Sequence, residues 1–227
     1  MDDLEIIPIE HATLVLKWQG KILYADPVDA SLLASQPAPD VVLVTDVHHD
    51  HFDIDALKTV LKEKTVLVLP QAVADLIKGK LPGSMLVMNN GQVQTVAGCS
   101  IEAIPMYNLP EKPDSFHTKG RGNGYVLEIK ERDISRRIYI SGDTAGIPEM
   151  RNLENIDIAF VCMNLPYTMS PEEAADAVLA FKPKVVTPYH YRQSQYNNLA
   201  DTAKFKSLVN ASDPNIKVNL LNFYPEK

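Results

Sequence analysis

From residue 4 to residue 25 apolar and polar positions alternate in short runs: Leu4 and Ile6, then Thr13, Val15 and Trp18, then Lys21 to Ala25 after Gly20. A period of two predicts a meander of antiparallel strands over 4–9, 12–18 and 21–25, with Asp26-Pro27 stopping the third. Residues 28–39, with Pro37 and Pro39, form a connection. The pattern then changes. Val41-Val42-Leu43-Val44 is an unbroken apolar run, as in a strand buried on both faces, and it ends abruptly in Thr45-Asp46-Val47-His48-His49-Asp50-His51-Phe52-Asp53.

Asp53 can cap a helix that sets Ile54, Leu57, Val60 and Leu61 on one face, followed by a strand over 65–69. Pro70 can open a second helix bearing Ala72, Val73, Leu76 and Ile77, with Gly79 as its stop. Strands are predicted over 85–88, 92–96 and 100–105, and residues 106–124 read as a long polar loop. A hairpin over 125–129 and 136–140 leads to Ser141-Gly142-Asp143-Thr144, and a buried strand over 156–162 leads to Met163-Asn164-Leu165-Pro166-Tyr167-Thr168-Met169. Ser170, Pro171 and Glu173 form a capping box at the start of a helix over 171–182. A strand over 184–187 ends at Pro188-Tyr189-His190-Tyr191-Arg192, and a helix near 199–210 and a strand over 216–221 follow.

Composition narrows the class. With 45% hydrophobic and 22% charged residues, the 227-residue chain suits one globular domain, 1–227, without repeats or low-complexity tracts. A formal net charge of −7 argues against nucleic-acid binding, which draws its affinity from many cations on phosphates. Cys99 and Cys162 make no C-x-x-C motif, so neither a disulfide framework nor a cysteine zinc site is indicated, and the compartment reads as reducing. Acids stand where a signal peptide would be basic, no apolar run is long enough for a membrane span, and there is no basic amphipathic segment for a membrane surface. A cytoplasmic protein is expected, with assembly into a homo-oligomer left open.

The runs over 41–45, 136–140 and 184–187 each end in side chains suited to metal binding. If these carboxyl ends lie side by side, Asp50, His51, Asp143 and His190 offer four ligands to one divalent cation. Asp46 and His48, with Asp143 as a bridge, begin a second site, and two cations about 3.5 to 4 Å apart could share a hydroxide nucleophile. The implied reaction is hydrolysis. Asp50 would fix the metal and the nucleophile's orientation, and His117 is a candidate proton donor or further ligand. Lys119, Arg121 and Arg192 are candidate cations for an anionic substrate group, Gly120, Gly122 and Gly124 could add backbone amides, and Tyr167 is a candidate cavity wall. His11 reads as structural or exposed, and His49 as a support behind the ligands or solvent-facing.

These residues resemble the metallo-β-lactamase superfamily, whose loop motif runs His-x-His-x-Asp-His after a buried strand. Gly142-Asp143-Thr144 and Pro188-Tyr189-His190 are similar to its bridging-aspartate and late-histidine motifs. Three further stretches, Pro105-Met106-Tyr107-Asn108, Phe116-His117-Thr118-Lys119-Gly120 and Asn164-Leu165-Pro166-Tyr167-Thr168-Met169, are similar to compact hydrolases related to L-ascorbate-6-phosphate lactonase. The resemblance implies an α/β fold, a four-layer αβ/βα sandwich, and a metal-bound hydroxide attacking a small lactone, ester, amide or phosphodiester. Two positions depart from the pattern: Asp46 replaces the first motif histidine, and Asn108 stands where another histidine ligand is common. Oxygen donors harden a site and tilt it from zinc toward manganese, iron or magnesium, so one cation is expected to bind tightly and a second weakly. The same departures support the alternative of a degenerate ligand-binding or regulatory module with one metal or none.

Overall fold

The computed structural model describes residues 4–77, 79, 81–131, 134–193 and 198–225. Met1, Asp2 and Asp3, part of the acidic start, lie outside the described residues. The strands form two main sheets. The first joins β1 (Glu5–Glu10), β2 (Thr13–Trp18), β3 (Lys21–Ala25), β4 (Val41–Leu43), β5 (Val66–Leu69) and β6 (Ser84–Val87) in that order, antiparallel as far as β3 and parallel beyond. The second contains β7 (Val93–Val96), β8 (Cys99–Met106), β9 (Gly122–Glu131), β10 (Ile134–Ile140), β11 (Ile158–Cys162) and β12 (Val185–Tyr189). Two short strands, β13 (Arg192–Gln193) and β14 (Asn198–Leu199), pair with each other, and β15 (Lys217–Val218) joins the second sheet beside β12. That sheet is antiparallel from β7 to β10 and parallel from β10 through β11 and β12 to β15.

Side-chain alternation builds the layers. On the first sheet Leu14, Leu16, Leu23, Val41, Leu43 and Val68 join the large core cluster shared with Ile101, Ala103, Leu127 and Tyr139 of the second. Their neighbours Val15, Tyr24, Val42, Leu67 and Leu69 point the other way, against Leu57 and Val60 of α1 (Ile54–Val60) and Val73 and Ile77 of α2 (Gln71–Ile77). Beyond the second sheet lie α3 (Pro148–Arg151), α4 (Pro171–Phe181) and α5 (Thr202–Ser212), with Phe181 edge-on to Tyr139 at 6.0 Å. Helix, sheet, sheet, helix is the four-layer αβ/βα order expected. Two caps form as the sequence indicated: Asp53 accepts the Ala56 amide at 2.7 Å, and Ser170 and Glu173 close a capping box on α4.

The structure revises some boundaries. The polar stretch over 106–124 is partly strand, since β8 continues to Met106 and β9 begins at Gly122. Gly122 and Gly124 therefore belong to a strand, where a Cβ would stand 2.8 Å from the Thr45 carbonyl and 2.7 Å from the Ser141 carbonyl respectively. They allow close backbone approach instead of forming an anion-binding turn. The strands ending at Leu43, Ile140 and Tyr189 are not side by side in one sheet: β4 belongs to the first sheet and β10 and β12 to the second, so the motif loops meet across the sandwich. Among the described residues no helix is long and apolar enough to cross a membrane.

Candidate metal centre and substrate cavity

Site residues follow the carboxyl ends of strands: Asp26 after β3, the Asp46–His51 loop after β4, Asp143 after β10, Asn164 after β11 and His190 after β12. His51 is fully buried, and its Nδ1 lies 2.7 Å from Asp26 Oδ2 and 2.9 Å from Thr45 Oγ1. Asp26 is held in turn, because its carboxylate accepts the Thr45 amide at 2.8 Å and the Thr45 hydroxyl at 2.6 Å. With Nδ1 engaged, His51 presents Nε2 to the rim. That atom lies 3.1 Å from His190 Nε2 and 3.4 Å from Asp143 Oδ2, while His190 Nε2 lies 3.4 Å from Asp50 Oδ2 and 3.6 Å from Asp143 Oδ1.

These separations test whether a cation fits. Two ligands bound at about 2.1 Å, at angles between octahedral and tetrahedral, stand roughly 3.0 to 3.4 Å apart. The measured distances sit in or close to that range, and the buried Asp143 Oδ1 has no hydrogen-bond partner. His51, Asp143 and His190 thus fit one divalent ion, Asp50 reaches that set through its 3.4 Å approach to His190 and groups otherwise with His11, and a carboxylate–imidazole pair behind a ligand is a familiar support. These groups also perturb one another strongly. Burial pushes the His51 imidazole down, but Asp143 and Asp26 outweigh it and hold its pKa well above the ordinary value. Burial pushes Asp143 up, yet the nearby His190 and His51 hold it well below the usual carboxylate range. Asp50 is likewise depressed, because hydrogen bonds with His11 and His190 and the His51 charge overcome its burial.

His11, read from sequence as structural or exposed, belongs to the site. Its backbone takes a left-handed turn, φ 57°, between β1 and β2. Its Nδ1 lies 2.6 Å from the Tyr224 hydroxyl, its Nε2 lies 3.2 Å from Asp50 Oδ2, and its ring lies tilted by 38° against that of His190 with the centres 3.8 Å apart. Desolvation, with the His190 charge, lowers its pKa to about 4, so the ring is neutral at pH 7. Asp26 was also passed over, as a residue that merely stopped a strand. The rule that located Asp143 and His190, a ligand-type side chain directly after a buried strand, also applies to Asp26.

A second group gathers beside the first: Asp46, His48 and His117 offer ligand-type atoms within 4.8 Å of one another. His117 Nε2 lies 3.2 Å from Asp143 Oδ2 and 3.7 Å from Asp46 Oδ2. Asn108 takes a different role from the one the motif suggested: its Oδ1 accepts the His117 amide at 2.9 Å and its Nδ2 donates to the Tyr167 carbonyl at 2.8 Å. It is a tie between two loops. Two of the substrate-binding expectations change. Lys119 is drawn away from the main cavity, with Nζ 2.8 Å from Glu149 Oε1 and 4.6 Å from the centre of the Tyr107 ring. Arg121 turns to the Asp46 carboxylate instead of the cavity, through Nε and Nη2 at 3.3 Å each.

A cavity of about 520 Å³ opens over both groups. His11, His48, Asp50, His117 and Asp143 line its polar side, and Phe116, Tyr167 and Tyr224 supply aromatic wall. Tyr167 meets Phe116 edge-on at 4.7 Å, and Arg192 lines the cavity with its guanidinium 4.5 Å from the centre of the Tyr224 ring. Asn164, almost fully buried, joins the wall and has an unpartnered Oδ1. His49 lines the cavity too, so each of the chain's six histidines lies in its wall or in the candidate metal centre beneath it. Tyr189 and Tyr191 tie the backbone together: the Tyr189 hydroxyl accepts the Gly142 amide, and the Tyr191 hydroxyl donates to the Leu221 carbonyl.

A four-layer sandwich with histidines and aspartates gathered between its two sheets defines the class of metallo-β-lactamase folds. The family model described as the beta-lactamase superfamily domain matches residues 5–190. A UPF0173 metal-dependent hydrolase of Thermococcus onnurineus is 31% identical over 175 residues, 75% of this chain and 74% of the relative. One of Thermus thermophilus is 32% identical over 165 residues, covering 71% of this chain and 70% of the relative. The crystal structure of a protein from Parabacteroides distasonis, provisionally called a metal-dependent hydrolase, superposes with a TM-score of 0.81 at 33% identity, covering 96% of this chain and 92% of that one. The chain belongs to the metallo-β-lactamase superfamily.

Proposed function

We propose that this metal-dependent hydrolase works as one domain that binds a divalent ion through Asp50, His51, Asp143 and His190 and cleaves a small, anionic substrate. The carrying observation is the 3.1–3.6 Å spacing among His51, Asp143 and His190 beneath the cavity, with Asp50 3.4 Å from His190. Bound there, a zinc, manganese or iron ion would acidify water and polarise the oxygen under attack. The chain's own residues supply the rest. Asp50 keeps 28% of its side chain exposed, against 0–4% for the other three, so it is the member of the set that can hydrogen-bond and orient a water in the cavity. His117 lines the same wall and is placed to hand a proton to the leaving group.

Arg192 supports an anionic substrate, because its planar fork pairs with a carboxylate or phosphate while its face stays on Tyr224. Phe116 and Tyr167 would hold an apolar portion. Phosphodiesters, and lactones, carboxylic esters and amides that carry an anionic group, meet these requirements. The test is metal content of protein purified without added metal, followed by turnover of carboxylate-bearing γ-lactones and p-nitrophenyl esters and of bis(p-nitrophenyl) phosphate with and without chelator. Hydrolysis that the chelator abolishes and Mn²⁺ or Zn²⁺ restores is expected. Arg192→Ala should raise KM for the anionic substrate at least about tenfold with little change in kcat, the mark of lost uniform binding. Ligand binding without turnover under any metal would overturn the hydrolytic reading and favour a binding module.

A further inference from the structure

We infer that Arg121 is a built-in cation standing in for a second divalent ion beside Asp46, His48 and His117; this rests on the reading that Asp50, His51, Asp143 and His190 hold the first. Asp46 is fully buried, and a buried carboxylate needs a compensating positive charge. Arg121 supplies it side-on, Nε to Oδ1 and Nη2 to Oδ2 at 3.3 Å each, in the fork arrangement a guanidinium makes with a carboxylate. Nη2 also donates to the Phe116 carbonyl. The side chain is three-quarters covered, and its backbone is set between Gly120 and Gly122 by a hydrogen bond from its amide to the Thr118 carbonyl.

Donor and acceptor accounting shows why this group differs from its neighbour. His48 Nδ1 lies 2.6 Å from Asp46 Oδ2, a hydrogen-bond distance well inside the spacing of two ligands on one ion. His48 Nε2 lies 3.4 Å from Arg121 Nη2, whose two hydrogens are shared among Asp46 Oδ2, the Phe116 carbonyl and His48, and an arginine can only donate. A neutral imidazole that donates from Nδ1 and accepts at Nε2 has no lone pair left for a metal. In the Asp50, His51, Asp143 and His190 set, by contrast, two imidazole Nε2 atoms face each other at 3.1 Å, and among the described residues no lysine or arginine is bonded to either. Position 108 agrees, because Asn108 spends both ends of its amide on the His117 and Tyr167 backbones. A second divalent ion would have to displace Arg121 or sit against its charge.

The experiment is Mn²⁺ binding to the full chain by equilibrium dialysis with elemental analysis, alongside electron paramagnetic resonance at excess Mn²⁺. The wild type should bind one tight equivalent and give the signal of an isolated ion. Arg121→Gln, which keeps a polar side chain and removes the charge, should bind a second ion at least about tenfold more tightly than the wild type does, and should give a spin-coupled pair. Arg121→Lys, which restores the charge, should return to one. Two tight, coupled ions in the wild type would overturn the inference, as would a folded Arg121→Gln protein that still takes one. The wild-type spectrum decides the matter even if the glutamine variant fails to fold. A wild type that binds no Mn²⁺, Zn²⁺ or Fe²⁺ would instead sink the metal reading beneath it.

Discussion

Asp26 governs His51 from behind: one carboxylate takes the Thr45 amide, the Thr45 hydroxyl and the His51 ring, fixing which imidazole nitrogen reaches the rim. Asp26→Asn keeps the shape and removes the charge, and it is expected to weaken the tight metal site about 10- to 100-fold, read by competition with a chelator. Unchanged affinity would contradict the support role. The same contacts set a pH dependence. His51 favours its charged form in the metal-free protein, so a ligating nitrogen becomes free only when a proton leaves. Calorimetry in buffers of different ionisation enthalpy should therefore show about one proton released per ion bound. Apparent affinity should fall roughly tenfold for each unit of pH lowered below the folded-state pKa of His51. No buffer dependence would refute this. Asp50, His51, Asp143 and His190 were legible because each stands where a buried strand runs out. Asp26 stands at such a strand end as well and answers to the same rule, whereas His11 was not legible, because it lies in a two-residue turn after an edge strand and its partners Asp50 and Tyr224 are 39 and 213 positions along the chain.

Among the elements, α4 was the most readable, since Ser170, Pro171 and Glu173 specify its start and an apolar stripe its buried face. The cap also offers a clean perturbation. Ser170→Ala should cost about 1 kcal/mol and lower the melting temperature by roughly 2–4 °C, with metal content unaltered. A melt indistinguishable from wild type would mean the box adds nothing. The start of β9 was less readable because Gly122-Asn123-Gly124 shows no apolar alternation. It is strand because Met106 to Ile104 pair with it and because the Asn123 amide reaches across the sandwich to the Thr45 carbonyl at 2.9 Å. A helix expected near 199 begins at Thr202, since Asn198 and Leu199 pair with Arg192 and Gln193 first. Local periodicity reports one strand's faces, whereas these features depend on which chain segment lies opposite.

At the scale of the molecule, each sheet contributes part of one site: His11, Asp26, Asp50 and His51 come from the first, Asp143 and His190 from the second. The sequence order of strand and motif pointed to the layered class, but not to the fact that the motif loops face each other across the core. Such a centre couples metal binding to the packing of the two sheets, and a ligand that binds the native state alone stabilises it by about 2.7 kcal/mol at 100 times its Kd. Saturating Mn²⁺ should accordingly raise the melting temperature, and His190→Ala should abolish most of that rise. The most direct measurement is anomalous diffraction from crystals grown with Mn²⁺. An ion bonded at about 2.0–2.3 Å to Asp50, His51, Asp143 and His190 is the predicted result. Anomalous density absent from those four side chains, or centred elsewhere on the molecule, would contradict it.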